Sequence, residues 1–149
     1  MHDFGAWIAG FYWDPYVAGT AWLYSGLSVV HYFTLLVMVG TGALVDLRVL
    51  GVAATRKPIN QFGEQIYPWM WGAFWLAVFS GFLMFTTDAG DYLPDTVFRV
   101  KMTVILLAVI FAIIVQRRVP EWGRLPSIPA RAKVLASISL LLWIGSILA

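Results

Sequence analysis

Few residues in this chain have side chains that could do chemistry, and most of them share one helical face. At about 100° per residue, Tyr24, Ser28, His31, Thr34, Met38, Gly42 and Asp46 line up as a polar lane along the first apolar segment. His31 is the informative member. Counted inward from Ala21 at about 1.5 Å per residue, it lies about 15 Å deep, close to the middle of a bilayer, where an ionisable group is costly and marks a candidate site. Three readings of it stay open. It is a satisfied interior histidine, bonded to a hydroxyl at similar depth such as Ser80 or Ser139; or it ligates haem b or hydrogen-bonds a quinone, with Ser28, Ser80, Ser139 and Lys101 as further contacts; or it relays protons or ions along the lane toward Asp46. A b-type haem usually takes a second axial ligand at the same level. Met38 and Met70 fall nearer the inner face, Met84 and Met102 nearer the outer, and His2 at the outer surface, so a haem on His31 would be five-coordinate or shared between two copies.

The other charged positions read more plainly. Lys101 enters its segment one or two turns from the outer end, where it can snorkel outward and pair with Asp88, Asp91 or Asp95, or meet an anionic headgroup or a quinone. Asp46 stands near a helix C-terminus, which disfavours an anion, so it calls for a cation. Arg48 is off its face, which leaves Arg131, Lys133 or Arg117 as the expected partner in a structural clamp. With His2 and His31 the only histidines and no cysteine, the chain has no hydrolytic constellation, thiolate or metal-spaced cluster, and no copper or other metal site is expected.

The elements that hold these residues follow from composition. Of 149 residues 60% are hydrophobic and 12% charged, with mean hydropathy +0.79 and net charge +2. That balance excludes a water-soluble enzyme, a disordered chain and a nucleic-acid binder, and it makes lipid the solvent. A helix needs about 20 apolar residues to cross, and four such runs are expected near 20–46, 67–87, 97–116 and 130–149. The chain therefore reads as one all-α transmembrane domain over 1–149, an integral four-helix bundle over 20–149 preceded by an outer interfacial segment over 1–19. The aromatic run from Phe4 to Trp13 suits the headgroup zone, and acidic Asp3 with early aromatics argues against a cleavable signal peptide. Arg48, Arg56, Lys57, Arg117, Arg118, Arg124, Arg131 and Lys133 fall on one side of the spans. By the positive-inside rule that side is cytoplasmic, and both termini are expected in the periplasm.

Close helix packing in lipid relies on small residues, and Ala73, Ala77 and Gly81, Ala108 and Ala112, and Gly40 and Gly42 supply them. The pattern as a whole resembles an uncharacterised family of small four-helix bacterial inner-membrane proteins. The resemblance rests on His31 followed by Asp46-Leu47-Arg48-Val49-Leu50-Gly51, and then on Pro68-Trp69-Met70-Trp71-Gly72-Ala73-Phe74-Trp75, Ser80-Gly81, Val97-Phe98-Arg99-Val100-Lys101, Lys133-Val134-Leu135-Ala136-Ser137 and Leu142-Trp143-Ile144-Gly145. It covers most of the chain and implies a four-helix membrane fold, but it brings no activity or cofactor. A looser similarity to copper-resistance D and cytochrome b561 bundles motivates the haem reading, although those usually carry several intramembrane histidines. The family usually runs a turn or more beyond the position of Ala149.

The sequence thus leads to an accessory or structural subunit of a larger membrane assembly or homo-oligomer, without catalysis of its own. The expected partners are lipid and other membrane subunits or further copies, and bound lipid is expected. An electron-transfer subunit holding haem b or quinone at His31 is the alternative. A proton- or ion-path component is a third, weakened by the absence of internal repeats, broken helices or a charged pore ring.

Overall fold

A computed structural model describes residues 19–87 and 92–148. It contains four helices, α1 (Ala21–Leu50), α2 (Ile59–Thr87), α3 (Thr96–Trp122) and α4 (Ala130–Leu148), and no strand among the described residues. All four are long and apolar enough to cross a membrane, and together they fit a multi-pass membrane protein. The expected interfacial segment lies almost wholly outside the described residues, as do Asp88 and Asp91.

The helices run antiparallel in sequence and close into a ring. α1 packs on α2 and on α4, α4 packs on α3, and the α2–α3 seam is the thinnest. The eight arginines and lysines named above gather at the end of the bundle that carries the α1–α2 and α3–α4 loops, here termed the basic end; the opposite end is the terminal end. Apolar side chains cover the outside, with Tyr32, Phe33, Leu36, Trp69, Trp75 and Leu141 each about two-thirds exposed, as a lipid-facing surface requires.

The helix boundaries differ from expectation at the basic end. α2 starts at Ile59, eight residues before position 67, because Pro68 does not stop it. Proline deletes one ladder donor, so the Glu64 carbonyl has no N–H from position 68. Ile59 and Gly63 are buried while Asn60, Gln61, Glu64 and Gln65 are exposed, so these first turns are amphipathic. In the same way α3 continues past 116, through Pro120, to the buried Trp122. The Asp46–Gly51 motif is a helix ending. Gly51 adopts φ +81°, its N–H reaches the Arg48 carbonyl at 3.2 Å and the Val52 N–H reaches the Leu47 carbonyl at 2.9 Å, a full Schellman cap. Arg48 then donates from Nε and Nη2 to the Lys57 carbonyl at 3.2 and 2.6 Å, closing the α1–α2 loop. At the terminal end Asp95 caps α3, its side chain accepting from the Val97 N–H at 3.0 Å.

The interior is uneven. At the basic end Val45, Val49, Ile59, Val115, Val119, Trp122, Ala132 and Ala136 form one buried apolar cluster. Next to it Met38, Met70, Ala73, Ala108, Ala112 and Trp143 form a second. Toward the terminal end the buried residues are small or polar: Thr34, Ala77, Ser80, Thr86 and Ser146.

Candidate functional site

Two polar constellations emerge, one around His31 and one around Asp46. Both are carried by α1, 15 residues apart, which is about 22 Å along the helix axis.

His31 points from α1 into α2. Its Nδ1 lies 3.1 Å from the Ala77 carbonyl and 3.0 Å from Ser80 Oγ. The Ser80 hydroxyl itself donates back to the Leu76 carbonyl at 2.7 Å. Since the Ala77 carbonyl can only accept and the one Ser80 proton is engaged at Leu76, the network assigns the ring proton to Nδ1. Nε2 then keeps its lone pair, and no hydrogen bond among the described residues reaches it. The ring is half-buried and lies against Gly81, where a Cβ would stand 2.8 Å from His31 Cε1. The absence of a side chain at Gly81 is therefore what admits the imidazole to the α1–α2 contact. Lys101, partly buried on α3, stands within electrostatic reach of the ring.

The other residues singled out with His31 have separate places. Ser28 bonds back to the Tyr24 carbonyl at 2.8 Å, and Thr34 to the Val30 and His31 carbonyls at 2.9 Å each, so both hydroxyls serve their own helix. Ser139 does not lie at the level of His31; it faces Asp46. Asp95 is occupied as the α3 cap, and among the described residues Lys101 forms no ion pair.

Asp46 departs most from expectation, because among the described residues no cation meets it. Arg48 is engaged at Lys57, Arg131 lies 3.8 Å from Glu121, and Arg117 and Lys133 are exposed. Long basic side chains at a membrane edge lower their energy by reaching water, and these do. Asp46 is nonetheless only 2% exposed, with Ser139 at 0% and Trp143 at 1%. Ser139 and Trp143 are one turn apart on α4, facing Asp46 and Gly42, one turn apart on α1. A Cβ on Gly42 would lie 2.7 Å from Trp143 Nε1, so that glycine lets the indole approach the α1 backbone. Tyr67 of α2 lies within electrostatic reach of Asp46. Four buried polar atoms here have no hydrogen-bond partner: Asp46 Oδ2, Tyr67 Oη, Ser139 Oγ and Trp143 Nε1. Each such atom ordinarily costs about 1–3 kcal/mol, so four in one neighbourhood is unusual. Trp71 provides the contrast, since its Nε1 donates to Gln116 Oε1 at 2.8 Å across the α2–α3 seam. Sequence reasoning did not single out Tyr67, Trp143 or Gln116 as site residues.

Among the described residues no group of three or more His, Asp or Glu is arranged to hold a metal ion. Searches of curated proteins and of solved structures find no match to this chain. A family model does match, over residues 9–149, and on that coverage the chain belongs to the family of unknown function DUF6644.

Proposed function

We propose that this protein is an integral-membrane accessory subunit of a larger assembly, and that its own contribution is a quinone-headgroup site at His31. The observation that carries the reading is the division of labour on the imidazole. Nδ1 is tied to Ala77 and Ser80, and Nε2 is left as an unclaimed acceptor at a half-buried position. A quinol hydroxyl can donate to Nε2, and the Lys101 ammonium can donate to an oxygen of the same headgroup. Ring anchoring through the second nitrogen is also what a metal-bound histidine shows, so the same feature favours haem b as a second reading. Quinone ranks first because a low-spin haem wants a second axial ligand, whereas Met38 and Met70 are packed into the apolar cluster. Electrons would come from partner subunits. The basic end is inferred to face the cytoplasm of a bacterial inner membrane, with both termini periplasmic.

The test is the ligand content of detergent-purified protein, read by mass spectrometry of extracted quinone and by oxidised and reduced absorbance spectra. Quinone should accompany the wild type, fall about tenfold or more in His31→Ala, equivalent to about 1.4 kcal/mol, and fall less in Lys101→Ala. Equal quinone in wild type and His31→Ala would overturn the site. A reducible Soret band lost in His31→Ala would replace quinone with haem b, and a colourless, quinone-free wild type would leave an accessory subunit alone.

A further inference from the structure

We propose that Asp46, Tyr67, Ser139 and Trp143 enclose a binding site for water and one exchangeable proton, separate from the His31 site and independent of any ligand there. The argument starts from the unpartnered atoms, Asp46 Oδ2, Tyr67 Oη, Ser139 Oγ and Trp143 Nε1, contributed by α1, α2 and α4. Their chemistry restricts the occupant. An indole N–H only donates, so whatever meets Trp143 must accept; a carboxylate only accepts, so whatever meets an ionised Asp46 must donate or carry positive charge. Water does both, and a buried water typically holds about 2–4 such partners. A bare metal ion can bind the carboxylate and the hydroxyls but gives the indole nothing.

Charge balance adds the proton. An isolated carboxylate in hydrocarbon is costly, and the groups that face Asp46 do not offset it. α4 presents neutral Ser139 and Trp143, and α2 presents the phenol of Tyr67. Arg48 on α1 is bonded to the Lys57 carbonyl, Arg131 points to Glu121, and Arg117 and Lys133 are exposed. Asp46 lies five residues before the Gly51 cap and hence about 7 Å along the axis from the helix end, so the exchange path is the short one to the basic end. The Gly42–Trp143 contact closes the other side.

Infrared difference spectroscopy of the full chain in lipid nanodiscs, between acidic and alkaline buffer, tests the site. Two bands are expected: a carboxylic-acid C=O stretch and a buried-water O–H stretch that shifts in heavy-oxygen water. Asp46→Asn should abolish the first. Trp143→Phe and Ser139→Ala, which leave the carboxyl in place, should shift both, so the proposal stays testable if Asp46→Asn does not fold. A spectrum in which neither Asp46→Asn nor Trp143→Phe alters any carboxyl or water band would overturn it. So would a carboxyl band that disappears when sodium replaces choline, which would make the occupant a metal cation. Neither result depends on quinone, and a His31→Ala background should leave both bands unchanged.

Discussion

His31 and Asp46 share one face of α1, but their surroundings differ in kind. His31 is half-buried, one nitrogen fully engaged and the other free, in the half of the bundle whose buried residues are Thr34, Ala77, Ser80, Thr86 and Ser146. Asp46 is enclosed, between two apolar clusters, and its Oδ2 and three other buried polar atoms, Tyr67 Oη, Ser139 Oγ and Trp143 Nε1, lack a hydrogen-bond partner. The difference lies in what each glycine admits. Gly81 brings a titratable ring against the α2 backbone and leaves one of its edges available, whereas Gly42 brings a large indole against α1 and shuts the interior. An open polar site suits a ligand that arrives through the membrane; a closed one suits water and protons.

The sharpest way to break this comparison is to open the closed half. Among the described residues Trp143 is the largest fully buried side chain, and Trp143→Ala should cost about 3–5 kcal/mol of stability, measured by thermal or detergent-induced unfolding. Trp75→Ala is the control. Trp75 lies on the same bundle but is 66% exposed toward lipid, and since lipid tails replace its contacts its loss should be much smaller. Comparable losses at the two positions would mean that the interior around Asp46 is not the tightly packed half.

Much of this was legible beforehand, and the failures have physical causes. Hydropathy found all four helices because lipid leaves the backbone few alternatives. It misplaced the start of α2, since Tyr67-Pro68 looked like a boundary, whereas the carbonyl that the proline leaves without a donor, that of Glu64, belongs to an exposed stretch of the helix. Depth counting found the His31–Ser80 pair, and the same counting wrongly set Ser139 beside it. The register of α4 is fixed by the fit of Trp143 to Gly42 and of Ala132 and Ala136 into the basic-end cluster, contacts that residue counting cannot see. The expected cation for Asp46 failed for a related reason: sequence shows that Arg131, Lys133 and Arg117 are near the right level, not that water draws them outward.

A smaller effect sharpens the open half. In Gly81→Ala the new Cβ would meet His31 Cε1 at 2.8 Å and Nδ1 at 3.3 Å. The ring must shift off Ala77 and Ser80, with an overpacking cost of about 1–3 kcal/mol. Gly72→Ala on the same helix has nothing within 4 Å of its Cβ and should be neutral or gain about 0.5–1 kcal/mol of helix propensity. Ring-nitrogen NMR of His31 should change in Gly81→Ala and not in Gly72→Ala. Unchanged His31 resonances in Gly81→Ala would show that the ring is not seated where the hydrogen bonds hold it.

The smallest expected effect concerns the ion pairs of the basic end. Arg118 lies 3.1 Å from Glu121 and Arg131 3.8 Å from it, with side-chain exposures of 57%, 71% and 49% for Arg118, Arg131 and Glu121. Pairs this exposed contribute about 0–1 kcal/mol, because water screens them and the long side chains lose rotamer freedom. Glu121→Gln, which removes both pairs at once, should therefore leave the unfolding midpoint nearly unchanged. Beneath these charges Val119, Trp122 and Ala132 are at most 2% exposed, and packing of that kind holds α3 to α4 without them. If Glu121→Gln instead destabilised the bundle as much as Gly81→Ala, the basic end would be held by charge, and the contrast between the two halves would be electrostatic rather than a matter of packing.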